Sequence, residues 1–357
     1  MADLLVVGTG LIGTSIALAV PEHWDVVLSD SSGAALGEAV ARGAGRGWDG
    51  RERCRIAVVA TPPRQTAIEL VRLLDRDVTV SVTHVCSVQS EVEQELTGAA
   101  RDVSSVCGGH PMAGRELSGP SAARADLFVG RPWVVCPSPS TTPTAAGAVR
   151  ELAEACGAVP VQMSADEHDA VVALVSHLPQ VTASALAARL VDPDEVTAAA
   201  ATSMAGPGLA DTTRLAASDA ALWQQVLSLN ATRVAPLVRA VAQDLLDVAA
   251  ALEQGAGEPV ASLLLRGNAG RALVPVKRGR ADQDFRTVSV SVSDRPGELA
   301  RLLNDTADSG VNVEDVRVEH IPGRPRGVIA LLLPSEGRDT AGRHLAELGW
   351  QVVEPAP

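Results

Sequence analysis

The fold is decided by Leu4-Leu5-Val6-Val7-Gly8-Thr9-Gly10-Leu11-Ile12-Gly13-Thr14-Ser15. The apolar run 4–7 predicts a buried strand, and residues 11–20 read as a helix. Between them Gly8, Gly10 and Gly13 hold the spacing that permits a tight turn, close approach of backbone to a pyrophosphate, and close helix–sheet packing. The helix N-terminus adds free N–H groups and partial positive charge. A second strand over 26–28 ends at Asp30, roughly 20 residues on, where an acid bonds the ribose hydroxyls of adenosine. A carboxylate there repels a 2′-phosphate, so NAD is expected over NADP, although Ser31 and Ser32 are hydroxyls that could bond such a phosphate. The expected cofactor residues are Gly8, Gly10, Leu11, Ile12, Gly13, Asp30 and, after a third strand at 56–60, Thr61 and Pro62.

Further strands at 78–82, 134–136 and 159–163 alternate with helical segments, which predicts an α/β domain with a mostly parallel sheet over 1–165. Over 166–270 Ala and Leu dominate and strand signals vanish, as expected of an all-α domain that supplies a subunit interface. Residues 271–285 read as a linker. The tail 286–357 reads strand-helix-strand-strand-helix-strand, a ferredoxin-like α+β domain.

Composition narrows the function classes. The 357 residues include no tyrosine and two Phe, which opposes base stacking on aromatic platforms. A net charge of −13 opposes generic binding to nucleic acid or an anionic membrane. The start of the chain reads as a strand rather than a signal peptide, no uninterrupted apolar run reaches the ~18 residues of a membrane span, and the five cysteines are far apart. These features predict a reduced, cytoplasmic protein. Seven histidines without HxxxH or HExxH spacing argue against a metal site.

Three segments carry candidate chemistry. His110, between Gly108-Gly109 and Pro111, is expected on a loop, where an imidazole acts as a base near neutral pH or is satisfied by backbone. His177 lies in Ser176-His177-Leu178-Pro179-Gln180, with His168-Asp169 two helical turns earlier; a buried, hydrogen-bonded histidine is the plainer reading. Arg214 follows Gly206-Pro207-Gly208 and suits a carboxylate, or else caps a helix or pairs with Asp211.

Taken together these segments resemble the prephenate dehydrogenase family of tyrosine biosynthesis. The resemblance runs through GTGLIGTS (8–15), VVATPP (58–63), CSVQSE (86–91), GGHPMAGRELSG (108–119), DLFVGRPWVV (126–135), HDAVVALVSHLPQ (168–180) and DTTRLAASD (211–219). The segment 292–316 looks like an ACT domain, a small regulatory fold. The resemblance implies an enzyme that takes a hydride from prephenate to NAD+ while carbon dioxide leaves and the ring becomes aromatic. His110 would then polarise or deprotonate the ring hydroxyl, Ser87 would bond that hydroxyl or orient His110, and His177 would face the nicotinamide–substrate junction. Arg214 would bind a substrate carboxylate, and Glu116 and Asp169 would stand at the pocket mouth. Asp211, Ser218 and Trp223 would belong to a closing loop across a homodimer.

The chain departs from the family pattern TDVGSVK at His84, Cys86 and Gln89, and from SHLPH at Gln180. An amide at 180 keeps hydrogen bonding without positive charge, which opens arogenate as a substrate beside prephenate; 4-amino-4-deoxyprephenate is a further alternative. A protein that senses NAD or an amino acid is the non-enzymatic one. In the tail, Asp294, Pro296, Gly297 and Asn312 read as turn and capping residues, and the ACT resemblance implies that tyrosine binds there as feedback effector.

Overall fold

The computed structural model describes residues 1–99, 101–114, 117–191, 204–274, 285–320 and 326–353, which separate into two units, Met1–Leu245 and Leu246–Pro357. Glu116 and residues 275–284 of the expected linker lie outside the described residues.

The first unit is built on an eight-stranded sheet. Its strands are β1 (Ala2–Val7), β2 (Val26–Ser29), β3 (Arg46–Gly47), β4 (Cys54–Val59), β5 (Thr79–His84), β6 (Val106–Pro111), β7 (Pro132–Cys136) and β8 (Val159–Gln162), in the order β3-β2-β1-β4-β5-β6-β7-β8. Pairing is parallel from β3 to β6, antiparallel between β6 and β7, and parallel again between β7 and β8. Helices α1 (Leu11–Ala19), α2 (Gly33–Ala41), α3 (Pro63–Arg76), α4 (Ser90–Gly98) and α5 (Pro143–Ala155) connect the strands. Alternate residues of β1 serve two cores. Leu4 and Val6 pack with Ile16, Leu28, Ile56 and Trp133, while Leu5 and Val7 pack with Val27, Val59, Leu70 and Val82. Burial on both faces explains why the strand reads as a continuous apolar run rather than an alternation. The strand order turns outward in both directions between β1 and β4, which sets a ligand crevice at the carboxyl ends of these strands.

One expectation is corrected by the sheet. His110 is not on a loop: it lies near the end of β6, in register with Val134 of β7. The segment Val106-Cys107-Gly108-Gly109-His110-Pro111 carries little strand propensity, yet its glycines face close neighbours. A Cβ on Gly108 would stand 2.3 Å from Gln89 Oε1, and one on Gly109 3.0 Å from Trp133 Nε1. The strand exists because its neighbours pack against bare backbone.

α6 (Ala165–Val172), a π-helical turn (Ala173–His177), α7 (Leu178–Ala188) and a short 3-10 turn (Arg189–Val191) form one continuous helix of 27 residues, within which an 18-residue stretch has a mean hydropathy of 1.5. By length and composition alone it could cross a membrane. Ser164 caps its start, exchanging hydrogen bonds with Glu167 at 2.9 and 3.2 Å. α8 (Pro207–Thr213), a 3-10 turn (Arg214–Ala217), α9 (Ala220–Leu229) and α10 (Ala231–Glu253) follow.

In the second unit α11 (Gly257–Ala272) precedes β9 (Phe285–Ser293), α12 (Glu298–Asp308), β10 (Asp315–His320), β11 (Arg326–Pro334), α13 (Ser335–Glu347) and β12 (Gln351–Val353). The four strands form an antiparallel sheet in the order β10-β11-β9-β12. Val288, Val290, Val292, Leu302, Ile329, Leu331, Leu333, Leu345 and Trp350 make its core. Trp350 donates its indole N–H to Asp305 at 2.7 Å and lies 4.0 Å beneath the Arg301 guanidinium. Asp294, Pro296 and Gly297 form the exposed β9–α12 turn, where Gly297 has φ +90°, and Asn312 bonds Glu314 just before β10.

Candidate active site

The glycine turn can be tested against the group it would hold. Gly8 has φ +98°, and a Cβ there would meet Ala60 O at 2.6 Å; a Cβ on Gly13 would stand 1.9 Å from Gly8 O. The protein itself demands these two. Around Gly10 no atom lies within 4 Å of a built Cβ, so its bare backbone serves what approaches from outside. No side chain caps α1. Thr61 Oγ1, at the end of β4, is buried without a partner. Asp30 Oδ2 accepts from the Thr9 amide at 2.6 Å and the Thr9 hydroxyl at 2.9 Å, while Oδ1 accepts from the Ser32 amide at 2.7 Å and keeps a lone pair for a ribose hydroxyl. Ser32 Oγ caps α2 by accepting from Ala35 N at 3.3 Å. These residues fit NAD.

At the same edge of the sheet four of the seven histidines gather around Asp169. Asp169 is fully buried: Oδ1 accepts from the Gln89 amide at 2.8 Å and Oδ2 from the Ser90 amide at 2.8 Å, at the start of α4. Burial pushes its carboxyl up, but His168 and these two amides outweigh that and hold it below the ordinary carboxylate range. Oδ1 also lies 2.8 Å from Nδ1 of His168, itself fully buried, and Nε2 of His168 lies 2.8 Å from Nδ1 of His110. His110 remains partly exposed. Burial, with His168 and His177 nearby, pushes its imidazole down to about 3; burial likewise brings His84 to about 4. His84, which replaces an aspartate of the family pattern, accepts from the Cys86 amide at 3.3 Å and is enclosed at the end of β5.

On the long helix His177 is buried in the π-helical turn and lowered by burial to about 4. Asn230 Nδ2 donates to the Asp169 carbonyl at 2.8 Å and lies 3.2 Å from His177 Nδ1. The carbonyl only accepts, so the amide nitrogen faces both groups, His177 Nδ1 accepts, and His177 Nε2 carries the hydrogen. Trp223 meets the His177 ring edge-on at 5.9 Å. Gln180 is buried one turn on; Nε2 donates to Leu215 O at 2.9 Å and Oε1 has no partner. Arg214 is exposed on the 3-10 turn that packs against α7, with Asp211 exposed on α8 and Ser218 Oγ on Leu215 O at 2.8 Å.

The structure therefore brings His110 together with His168 and Asp169, and His177 together with Trp223. Asp169 is corrected from a pocket-mouth residue to a buried anchor, because both of its oxygens are spent on α4 and His168. Ser87 is a half-buried bend between β5 and α4, and among the described residues no hydrogen bond joins it to His110. His168, Gln89 and Asn230 were missed as site residues. The signal for His168 was its place beside Asp169; Gln89 and Asn230 act through contacts distant in sequence. Gln89 Nε2 donates to Cys86 O at 2.6 Å and Gly109 O at 3.1 Å, clamping the β5–α4 turn to β6. The five cysteines are buried and free, and burial raises their thiols, to about 11 at Cys54 and Cys86. Among the described residues no group of His, Cys, Asp or Glu could hold a metal ion.

Comparison with known proteins supplies the family. The profile of the prephenate dehydrogenase nucleotide-binding domain matches residues 17–162, and that of the prephenate dehydrogenase dimerization domain matches residues 164–266. A probable prephenate dehydrogenase, NovF of Streptomyces niveus, is 35% identical over 98% of this chain and 99% of its own. Among solved structures, prephenate dehydrogenase of Aquifex aeolicus in complex with hydroxyphenyl propionate and NAD+ superposes with a TM-score of 0.67 at 24% identity, over 76% of this chain and 97% of that one. Synechocystis arogenate dehydrogenase gives a TM-score of 0.62 at 24% identity, over 75% and 98%. The glycine cradle, the histidine cluster and these matches place the chain in the prephenate dehydrogenase family.

Proposed function

We propose that the chain catalyses the oxidative decarboxylation of prephenate to 4-hydroxyphenylpyruvate, with NAD+ as hydride acceptor, in tyrosine biosynthesis. The observation that carries this reading is His110, a neutral and partly exposed imidazole at the carboxyl end of β6, on the sheet edge that also bears the glycine cradle. NAD+, when bound, accepts the hydride from the ring carbon that bears the hydroxyl. His110 takes the hydroxyl proton as the hydride leaves, which makes the carbonyl-forming step possible at neutral pH. His177, with hydrogen on Nε2, offers a donor beside Trp223, and Ser87 supplies a hydroxyl next to the same strand end. Arg214 pairs with a substrate carboxylate, a local cation in a chain of net charge −13. Asp211, Ser218 and Trp223 shape that side of the site, and Glu116 of the family motif belongs to it by resemblance.

Steady-state assays with prephenate, arogenate and 4-amino-4-deoxyprephenate, each with NAD+ and NADP+, test the reading. Preference for prephenate with NAD+ supports it; turnover of none of the three in a protein that binds NAD+ would favour a sensor instead. Arogenate is a second reading, favoured by Gln180. Its orphaned Oε1 can only accept, which suits the ammonium of arogenate better than the keto group of prephenate. A higher kcat/KM for arogenate, reversed by Gln180→His, would establish it.

The second unit supports a regulatory role. Its strand order and antiparallel pairing suit an ACT domain, with tyrosine at the Asp294–Gly297 turn near Asn312. Deleting residues 286–357 is expected to abolish tyrosine inhibition, and retained sensitivity in a folded deletion variant would refute it. Exposed Leu174, Leu186, Leu264 and Leu265 on the helices support assembly as a homodimer.

A further inference from the structure

We propose that His168, anchored by Asp169, is a positioning residue that fixes the tautomer of His110 and receives the positive charge when His110 takes a proton. The proposal rests on the reading of His110 as the base.

The hydrogen-bonded series begins at α4. The first amides of that helix hold Asp169 as a carboxylate, which can only accept hydrogen bonds. Nδ1 of His168, 2.8 Å away, must therefore carry a hydrogen. In neutral His168 the lone pair then sits on Nε2, which faces Nδ1 of His110 at 2.8 Å. That contact is a hydrogen bond only if His110 Nδ1 carries the hydrogen. His110 Nε2 is left as a bare lone pair, the state a general base needs. Both His168 and Asp169 are fully buried, so water does not compete for these contacts.

The same series gives the proton a destination. Substrate O–H breaks and a new N–H forms on His110 Nε2. The hydrogen on His110 Nδ1 passes to His168 Nε2. No electrons are exchanged within the series; His110 ends neutral and His168 ends as an imidazolium against the Asp169 carboxylate. Among the described residues the other titratable groups that face the series are His84 from β5, Cys86 just after it, Glu93 from α4, Cys136 from β7 and His177 from the π-helical turn. None of them lies on the hydrogen-bonded path from His110 to Asp169. After product leaves, the partly exposed His110 returns the proton to solvent by the reverse transfer.

The test uses the full-length enzyme and two measurements. Isotope-edited nitrogen NMR of the wild-type protein with NAD+ at neutral pH should show His110 protonated on Nδ1. Separately, His168→Gln keeps an acceptor for that hydrogen but cannot become a cation. It should lower kcat by about 10²-fold and flatten the acidic limb of the kcat–pH profile, while NAD+ affinity stays within about twofold. Finding His110 as the Nε2–H tautomer, or wild-type kcat and pH profile in His168→Gln, overturns the proposal. If His168→Gln fails to fold, the tautomer measurement decides alone. Failure of the functional reading would show differently, as a wild-type enzyme that turns over neither prephenate nor arogenate whatever its His110 tautomer.

Discussion

The carboxyl edge of the first sheet and the core of the C-terminal sheet are built to opposite rules. Around Asp169 four histidines gather, three of them buried, and in the same unit Thr61, Gln89, Ser90, Trp133, Gln180 and Asn230 each bury a polar atom without a protein partner. Under the C-terminal sheet, Val288, Val290, Leu302, Leu331 and Leu333 pack with Trp350, whose indole N–H is satisfied by Asp305. An unpartnered buried polar atom costs about 1–3 kcal/mol, and among the described residues the first unit carries six of them against two in the second, Ser335 Oγ and His344 Nε2. The difference marks where each region's purpose lies: the first gathers polar groups at a sheet edge, the second packs apolar side chains into a core.

The comparison breaks most decisively at His110. His110→Asn is expected to lower kcat by about 10²–10⁴-fold while leaving NAD+ binding, measured by fluorescence titration, intact. The opposite result is expected from Leu331→Ala. It should cost about 2–5 kcal/mol in denaturant unfolding of the C-terminal unit and leave uninhibited kcat unchanged.

Acid should separate the regions next. His84 titrates near 6.5 when unfolded and near 4 when folded, so the unfolded chain binds the proton first. Stability is full above the unfolded value and falls as pH drops from 6.5 to about 4, by about 3 kcal/mol at ~1.4 kcal/mol per unit. Asp169, held below its ordinary range, acts in the same sense. Urea titrations across this range should show the loss in the first unit; a flat profile would contradict the burial of His84. The smallest effect is expected at Gly10→Ala. With nothing within 4 Å to collide, melting temperature should barely move, while NAD+ affinity falls by about tenfold, roughly 1.4 kcal/mol. Gly13→Ala, whose Cβ meets Gly8 O at 1.9 Å, should instead lose folding and binding together.

What the residues reveal on their own follows the range of the forces involved. β1, the glycine turn and Asp30 are legible because periodicity, turn geometry and acid spacing all act within about thirty residues. The C-terminal unit is legible because 287–292 and 313–319 alternate in sequence and 328–333 is a short apolar run, and these become β9, β10 and β11. β6 is not, since Gly108 and Gly109 are chosen by Gln89 and Trp133 rather than by strand propensity. His110 and His177 were found as candidates through their motifs. The buried anchoring role of Asp169 is not legible, because its partners, Gln89 and Ser90, lie about eighty residues away in the chain and only folding brings them to it.

The widened turn at Ala173–His177 has a consequence for angular phase. In a regular α-helix the eight residues from Asp169 to His177 would turn the chain through about 800°, leaving the two about 80° apart around the axis. A π-helical turn absorbs one extra residue, which removes about 100° and returns His177 to nearly the same azimuth as Asp169. Asn230 can then span both with one amide nitrogen. One surplus residue thus works as a vernier, bringing an imidazole onto a line that regular helical geometry would have carried it past.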